Sequence, residues 1–572
     1  MTIAACGETP PGGGQATTPP GGTGAATTRG QGDELVLLWW QGATILNPHL
    51  AQGTKDFDAS RVVLEPLASM GPDGVPVANL AEEIPTAENG GVSDDQLTIT
   101  WKLKTGVKWA DGSDFTADDV VFTYEYMSNT EVAATTAAAA ANIASVEAVD
   151  DTTVRVTFNE PVSDPYTLFV GPEGMILQRA QFADFAGANA KDAPGNQDPI
   201  GTGPYKVREF RPNDVVIYEI NEQYREPNKP FFKTVQFKAV ADATQAARAV
   251  FQTGDADYAW NLQVQASVLR QLVDTGGQGD LVTADSPNVE RLLLQRANNR
   301  LSGDDRAEPG TEHPFLSDIR VRQALAMASN RKAVADQLYG SGVTGVETCN
   351  VITTPPDNVS PNTAGMDVCK YDLSAANALL DEAGWVRGAD GFRSKDGVPL
   401  EVVYQTTVNP VRQATQDIIK ADWESIGVRV ELKSVDAGVF FSSDVANPDT
   451  AAKFFADVEM FTNGSASPNM QDYLAIYRCD SIAERSNQWR GDNYMRWCSE
   501  EYDALFDQLA AETDPDERAR LIIEMNDLMV QEVVEISLVA RKFPVAGKAK
   551  DLQGTTANPW DSDLWNIADW RK

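Results

Sequence analysis

The sequence predicts an α/β protein divided into two or three domains, and three observations carry that prediction. Its 572 residues exceed what one hydrophobic core organises, since chains beyond about 250–300 residues split into domains. Leu400–Gln405, Val411–Ile426 and Val428–Lys433 read in turn as strand, helix and strand, an order that implies parallel pairing across a helical crossover. No motif recurs at a spacing of roughly 20–50 residues, which excludes a solenoid or propeller.

In chain order, residues 7–32 hold 13 Gly or Pro among 26, and their only charges are Glu8 and Arg29. Such a stretch buries no core and reads as a flexible tether with an r.m.s. span of about 28 Å. Folded sequence is expected from Asp33. Leu35–Trp40 is an apolar run suited to a buried strand, ended by the turn at Asn47-Pro48. Leu97, Ile99, Trp101 and Leu103 alternate as a strand does. Thr116 and Asp119 have capping-box spacing and open a helix running to Met127. Ala133–Ala141, rich in the best helix former, predicts a second helix. Ser145–Val149 with Val154–Phe158, and Tyr205–Phe210 with Val215–Ile220, read as hairpins. Ile319–Asn330, Ser374–Ala383 and Val411–Ile426 have helical periodicity, and Gly384 and Gly427 stop the last two.

The charge balance narrows function. With 83 acidic and 47 basic side chains the net charge is -36, so phosphate backbones and anionic lipid surfaces are repelled and nucleic-acid binding is excluded. The acidity is that of a solvated surface and identifies no ligand. No window of about 18 apolar residues reads as a membrane-spanning helix. Catalytic patterns are missing too. The two histidines, His49 and His313, stand in no metal-spaced motif, and neither a GxSxG elbow nor a phosphate-binding loop occurs. No catalytic residue, metal site or cofactor is assigned. The chain is not expected to be an enzyme.

The five cysteines fall as Cys6, then Cys349 with Cys369, then Cys479 with Cys498. Two local bridges would each contribute about 3 kcal/mol and imply an oxidising compartment. Four unpaired buried thiols in a reducing compartment are the alternative reading. Ile3-Ala4-Ala5-Cys6 resembles a bacterial lipobox, in which the cysteine thiol receives a diacylglycerol and becomes the first mature residue. The basic and apolar segments of a signal peptide do not stand before Ile3, so the chain is expected to be trimmed or to start late.

Five further segments, in order, resemble family 5 of the bacterial solute-binding proteins, the group of dipeptide, oligopeptide and nickel receptors. They are Gly106-Val-Lys-Trp-Ala-Asp-Gly112 with its continuation to Phe122, Pro199-Ile-Gly-Thr-Gly-Pro-Tyr205, Asp318 to Leu325, Tyr371 to Trp385, and Asn493-Tyr-Met-Arg-Trp-Cys498 with Cys479. In these stretches Trp109 reads as core, and Gly201 and Gly203 as backbone requirements, so they identify a scaffold and not a cargo.

The resemblance implies a two-lobed, periplasmic-binding-protein-like type II fold with an extra domain inserted in lobe one, the cluster C arrangement. Mapped here, 1–32 is lipobox and tether. Lobe one is 33–70, 199–296 and 535–572, the inserted domain 71–198, and lobe two 297–534. Two strands would cross between lobes near Leu292–Asn298 and Val534–Arg541. The function implied is capture of an oligopeptide or similar polar solute between the lobes and delivery to an ABC permease with its ATPases. The receptor would be a monomer outside the cytoplasm, at the cell surface or in the periplasm, held to the membrane through the lipid on Cys6. A sugar, an opine or another polar solute is the alternative cargo, and a signalling partner the alternative output. By position, the ligand-contacting residues would be Gln52, Gly53, Thr54, Arg296, Asn298, Phe461, Asn463, Ala466, Ala540 and Arg541, with Trp260 and Asn261. Peptide-binding members carry an aspartate in the lobe-two loop, but Phe461–Gln471 has no carboxylate and Ala466 matches its position. An ammonium group desolvated there would lack its counter-charge, unless Asp457, Glu459 or Asp472 supplies one.

Overall fold

The computed structural model describes residues 28–572 except 52, 241, 341, 443–445 and 466. Cys6 and most of the expected tether lie outside the described residues. Thr28 Oγ1 donates to Asn228 O at 2.7 Å and Gly30 N to Pro230 O at 3.0 Å, so the last residues read as tether are hydrogen-bonded to the folded chain ahead of Asp33.

One 11-stranded sheet runs through both lobes. From the lobe-two edge its order is Arg429–Val435, Glu401–Thr407, Val458–Asn463, Gly279–Leu294, Glu535–Ala549, Tyr258–Ala259, Gly32–Trp39, Phe232–Ala239, Val215–Ile220 and Tyr205–Arg211, with Gly345–Glu347 paired off this path to Glu535–Ala549. The parallel pairing expected around Leu400–Lys433 is present: Glu401–Thr407 pairs parallel with Arg429–Val435, and helix Pro410–Ser425 crosses between them. In the strand Gly32–Trp39, Leu35, Leu37 and Trp39 enter one apolar core and Leu38 the core on the opposite face. That is the period of two that a sheet covered on both sides demands.

The inserted domain has its own core, spanning Leu64 to Ala193, over the three-stranded sheet Thr98–Lys102, Thr153–Phe158 and Ile143–Asp150. The capping signal at Thr116 is used. Asp119 Oδ2 accepts from Thr116 N and from Trp109 Nε1, each at 3.1 Å, opening the helix Ala117–Ser128. The second helix expected over Ala133–Ala141 does not form. Only Ala137–Ala140 makes a 3-10 turn, because Ala133 takes a positive φ of 60° and Thr135 N is drawn to His49 O at 2.8 Å. At the junction of this domain with lobe one, a Cβ on Gly201 would sit 1.9 Å from Val63 O. Only glycine admits so close a backbone approach. The two disulfides are Cys349–Cys369 and Cys479–Cys498, both in lobe two. Among the described residues no helix is long and apolar enough to cross a membrane.

Two long strands, Gly279–Leu294 and Glu535–Ala549, carry the chain between lobes and pair antiparallel. The register shifts between Asp285 and Val289, opposite Ala540–Lys542, so the first strand bends ahead of the crossing expected at Leu292–Asn298. Just beyond the bend, Glu290 and Arg291 point to opposite faces. Glu290 is fully buried and accepts from Arg412 Nε at 2.8 Å and Thr462 Oγ1 at 2.5 Å, with Arg541 Nη1 3.5 Å away. These cations hold its carboxyl below the ordinary range although burial, the largest influence, opposes them. On the other face Arg291 donates to Glu535 Oε2 and Tyr473 OH, at 2.8 and 2.9 Å, and to Tyr477 OH.

Removing one partner of a buried pair strands the other charge, at a cost of about 3–5 kcal/mol. Glu535→Ala is therefore expected to lower stability by about that much in denaturant unfolding, and a loss below about 1 kcal/mol would show that water reaches Arg291.

Candidate ligand cleft

A cavity of about 1200 Å³ lies where lobe one, the inserted domain and lobe two meet. Lobe one contributes the start of helix Thr54–Arg61 and the segment Pro559–Ser562. The inserted domain contributes 127–135 and Glu173, and lobe two contributes 462–465 and 488–492. Helix Thr54–Arg61 is aimed at the cavity because Asn47 fixes the preceding turn. Asn47 Oδ1 accepts from His49 N at 3.0 Å, and its amide donates to Asn196 Oδ1 and Tyr126 OH.

The wall carries charge of two kinds. Asp58 is fully buried behind the surface, accepting from Ser562 Oγ at 2.6 Å and Trp39 Nε1 at 3.1 Å. Burial first, and then the neighbouring Asp563, holds it well above the ordinary carboxylate range. Glu173 and Asp492 instead open onto the cavity, their side chains exposed to its interior. Among the described residues neither carboxylate has a hydrogen-bond or ion-pair partner. The protein mass around Glu173, and then Asp472 and Asp492, push its carboxyl up to about 7. Burial raises Asp492 to about 6. Cations are present on other parts of the wall. Lys453 Nζ lies 4.7 Å from the Trp489 ring centre, and Lys191 and Arg490 are exposed.

Gly53, Thr54 and Asn463 line the cavity. Gly53 has a fully extended φ of -175°, and a Cβ there would meet nothing within 4 Å. Gln52 and Ala466 lie outside the described residues. The other residues singled out from the sequence are not in the lining. Phe461 packs behind Tyr494, ring centres 6.1 Å apart. Arg541 and Asn261 stand behind the wall: Arg541 donates to Thr462 Oγ1 at 2.8 Å and Asn261 Oδ1 at 3.0 Å. Trp260 is stacked on Trp39 and Trp40 in the lobe-one core, and Ala540 pairs with Val289 and Val346 in the sheet.

Arg296 donates to Val533 O at 2.8 Å, past the end of helix Pro515–Gln531, and Asn298 N bonds Thr311 Oγ1 at 3.0 Å. Asp457 and Glu459 are also outside the lining. Asp457 is buried against His313 and Arg300, and Glu459 accepts from Gln405 Nε2 at 2.9 Å. Asp472 accepts from Ser465 Oγ at 2.6 Å. Both histidines serve structure. His49 bridges Thr136 and Met175 O, and burial lowers its pKa to about 4. Among the described residues no group of three His, Cys, Asp or Glu could hold a metal ion.

Sequence reasoning missed Glu173, Lys453 and the stretch Gln488–Asp492. Glu173 follows Gly171-Pro172, a loop signal, and Asp492 immediately precedes the Asn493–Cys498 motif, but neither signal distinguishes a cavity wall from any other loop.

Comparison with known proteins matches this architecture. The family model of bacterial extracellular solute-binding proteins, family 5, middle region, matches residues 75–481. The dipeptide-binding protein of Pseudomonas aeruginosa is 26% identical over 504 residues, 84% of this chain and 85% of that one. The glutathione-binding protein GsiB of Shigella flexneri is 27% identical over 476 residues, 82% of each. The oligopeptide-binding protein AppA of Bacillus subtilis, solved with a nonapeptide, superposes with a TM-score of 0.79 at 22% identity, covering 95% of this chain and 99% of that one. With a two-lobed fold, an inserted domain and a family match over most of its length, the chain belongs to the family 5 bacterial extracellular solute-binding proteins, which are receptors and not enzymes.

Proposed function

We propose that this chain is the receptor of an ABC importer and that its solute is a short peptide or similar polar molecule presenting a cationic group to Glu173 and Asp492. The observation that carries this reading is the pair of carboxylates facing the cavity, one from the inserted domain and one from lobe two, neither with a partner among the described residues. In a partly desolvated cavity a carboxylate without a partner is costly, and a bound ammonium or guanidinium would relieve both at once. The pair would thus supply the counter-charge missing from Phe461–Gln471. Names of relatives support the solute class: dipeptides for one, glutathione for another. Gly53, Thr54 and Asn463 would contact the solute directly. Arg541, Asn261 and Phe461 would shape the wall from behind. Delivery to a permease with its ATPases, and anchoring of a monomer through a lipid on Cys6, complete the proposal. Only association and dissociation are required, with the solute favouring the conformation in which both sides touch it.

Thermal-shift screening of the purified protein against di- to pentapeptides and their N-acetylated forms tests the reading. A cationic solute at a hundredfold excess over Kd should stabilise by about 2.7 kcal/mol, and equal stabilisation by acetylated forms would overturn it. Glu173→Gln should weaken the hit about tenfold or more, the worth of a charge-assisted hydrogen bond. Affinity should also rise with pH. Protons compete with the solute's cation until Asp492 ionises near pH 6 and Glu173 near pH 7, so titration from pH 5 to 7 should show steady tightening, below the range around about pH 8 where a peptide's α-ammonium loses its own proton. Finally, Gly53→Leu should leave the melting temperature of the free protein within about 2 °C, because extended backbone and open space accept the side chain. It should nonetheless abolish the ligand-induced shift.

A further inference from the structure

The inserted domain and lobe two also touch outside the solute cavity. The loop Val162–Tyr166 is anchored on its own side. Val162 and Pro165 are buried, Asp164 Oδ1 accepts from Tyr166 N at 3.0 Å, and Tyr166 OH donates to Pro85 O at 2.8 Å. Between these anchors Ser163 and the second oxygen of Asp164 face lobe two. Opposite them Arg518, on helix Pro515–Gln531, is held by acceptors of lobe two itself: Leu509 O at 2.6 Å, Glu512 O at 3.0 Å and Asn469 Oδ1. Its Nη1 donates in addition to Ser163 Oγ at 2.6 Å, and Ser467 Oγ lies 3.4 Å from Asp164 Oδ2. Beside them the turn at Gly74 meets Pro468 so closely that a Cβ on Gly74 would stand 3.3 Å from Pro468 Cβ.

We infer that Arg518 and Ser163, with Asp164 and Ser467, form a latch across the cleft that sets how often the empty receptor closes. Opening breaks few of the bonds of Arg518. Its three contacts within lobe two persist, so the guanidinium stays aimed, and each closure regains a charge-assisted hydrogen bond at little cost in side-chain entropy. The receiving segment also borders the solute. Asn463, Gly464 and Ser465 line the cavity, and Ser465 Oγ accepts from Ser467 N at 3.1 Å and lies 2.6 Å from Ser467 O. A solute that orders 463–465 therefore also fixes Ser467, and occupancy reaches the latch through one short stretch of chain.

The test needs no solute, so its failure is distinct from failure of the solute assignment. In the full chain carrying Gly74→Cys and Pro468→Cys, the Cβ separation is near the about 3.5–4.5 Å that disulfides use. Mild oxidation followed by non-reducing peptide mapping gives the rate of bridge formation, which reports how often the cleft closes. Adding Ser163→Ala is expected to slow bridging about tenfold, the worth of one hydrogen bond to a charged group. An unchanged rate overturns the latch. A cysteine at Gly74, whose φ is +78°, can itself impede folding, so hydrogen exchange on Ser163→Ala alone is the second measurement. Faster exchange in both 162–166 and 467–470 is expected, and exchange that is unchanged or faster on one side alone overturns the proposal.

Discussion

The structure depends on a pair of opposite charges at successive positions of one strand. Glu290 and Arg291 leave the strand Gly279–Leu294 on opposite faces, and each finds its partners inside the protein. A strand that slipped by one residue against its neighbour would bring a carboxylate to the tyrosine and Glu535 side and a guanidinium to the arginine side. Both charges would then be buried against their own sign, so the register of the two crossing strands is set by electrostatics as well as by the apolar pattern. The relative placement of the lobes follows, and with it the width of the cavity. Thr462 shows how short the path is: its hydroxyl donates to Glu290 and accepts from Arg541, while the residue itself lines the cavity.

Burial sorts the polar groups of the cleft by task. Asp58, Arg541 and Asn261 are bonded within the protein and present a rigid backing. Glu173 and Asp492 face the cavity and have no hydrogen-bond or ion-pair partner among the described residues. The inserted domain matters here because it provides one wall that the two lobes alone lack, and the Ala-rich stretch that fails to form a helix is part of that wall. Its small side chains, laid out as irregular backbone, leave volume that a helix with longer residues would fill.

The fold was legible wherever local chemistry and tertiary packing ask for the same thing. Alternation in Leu97–Leu103, the capping pair Thr116 and Asp119 and the stop at Gly427 are short-range signals, and the structure uses each. Ala133–Ala141 failed because helix propensity is a weak prior and a single buried carbonyl, His49 O, captured the backbone. The cleft was legible only in part. Gly53 and Thr54 follow from the turn before them, but Glu173 and Asp492 come from loops more than 300 residues apart, and no local pattern marks two loops as neighbours. Arg296 misled for a physical reason. An arginine just past a crossing strand suits a ligand contact, but here the exposed carbonyls at the end of helix Pro515–Gln531 recruit it, with Arg322 sharing Glu532 O.

The Cys479–Cys498 bridge closes a loop that includes Gln488–Asp492, and its Cα atoms are 4.6 Å apart. The residues between the two cysteines hold it as well: Asn493 Nδ2 donates to Tyr477 O, Arg478 O and Trp497 O, and Met495 O accepts from Arg296 N at 2.9 Å. On that fixed frame the exposed side chains of Gln488, Arg490 and Asp492 can be exchanged with little loss of anchorage for the rest of lobe two. Through such positions a scaffold could pass from one nutrient to another over evolutionary time while its core and its crossing strands stay unchanged.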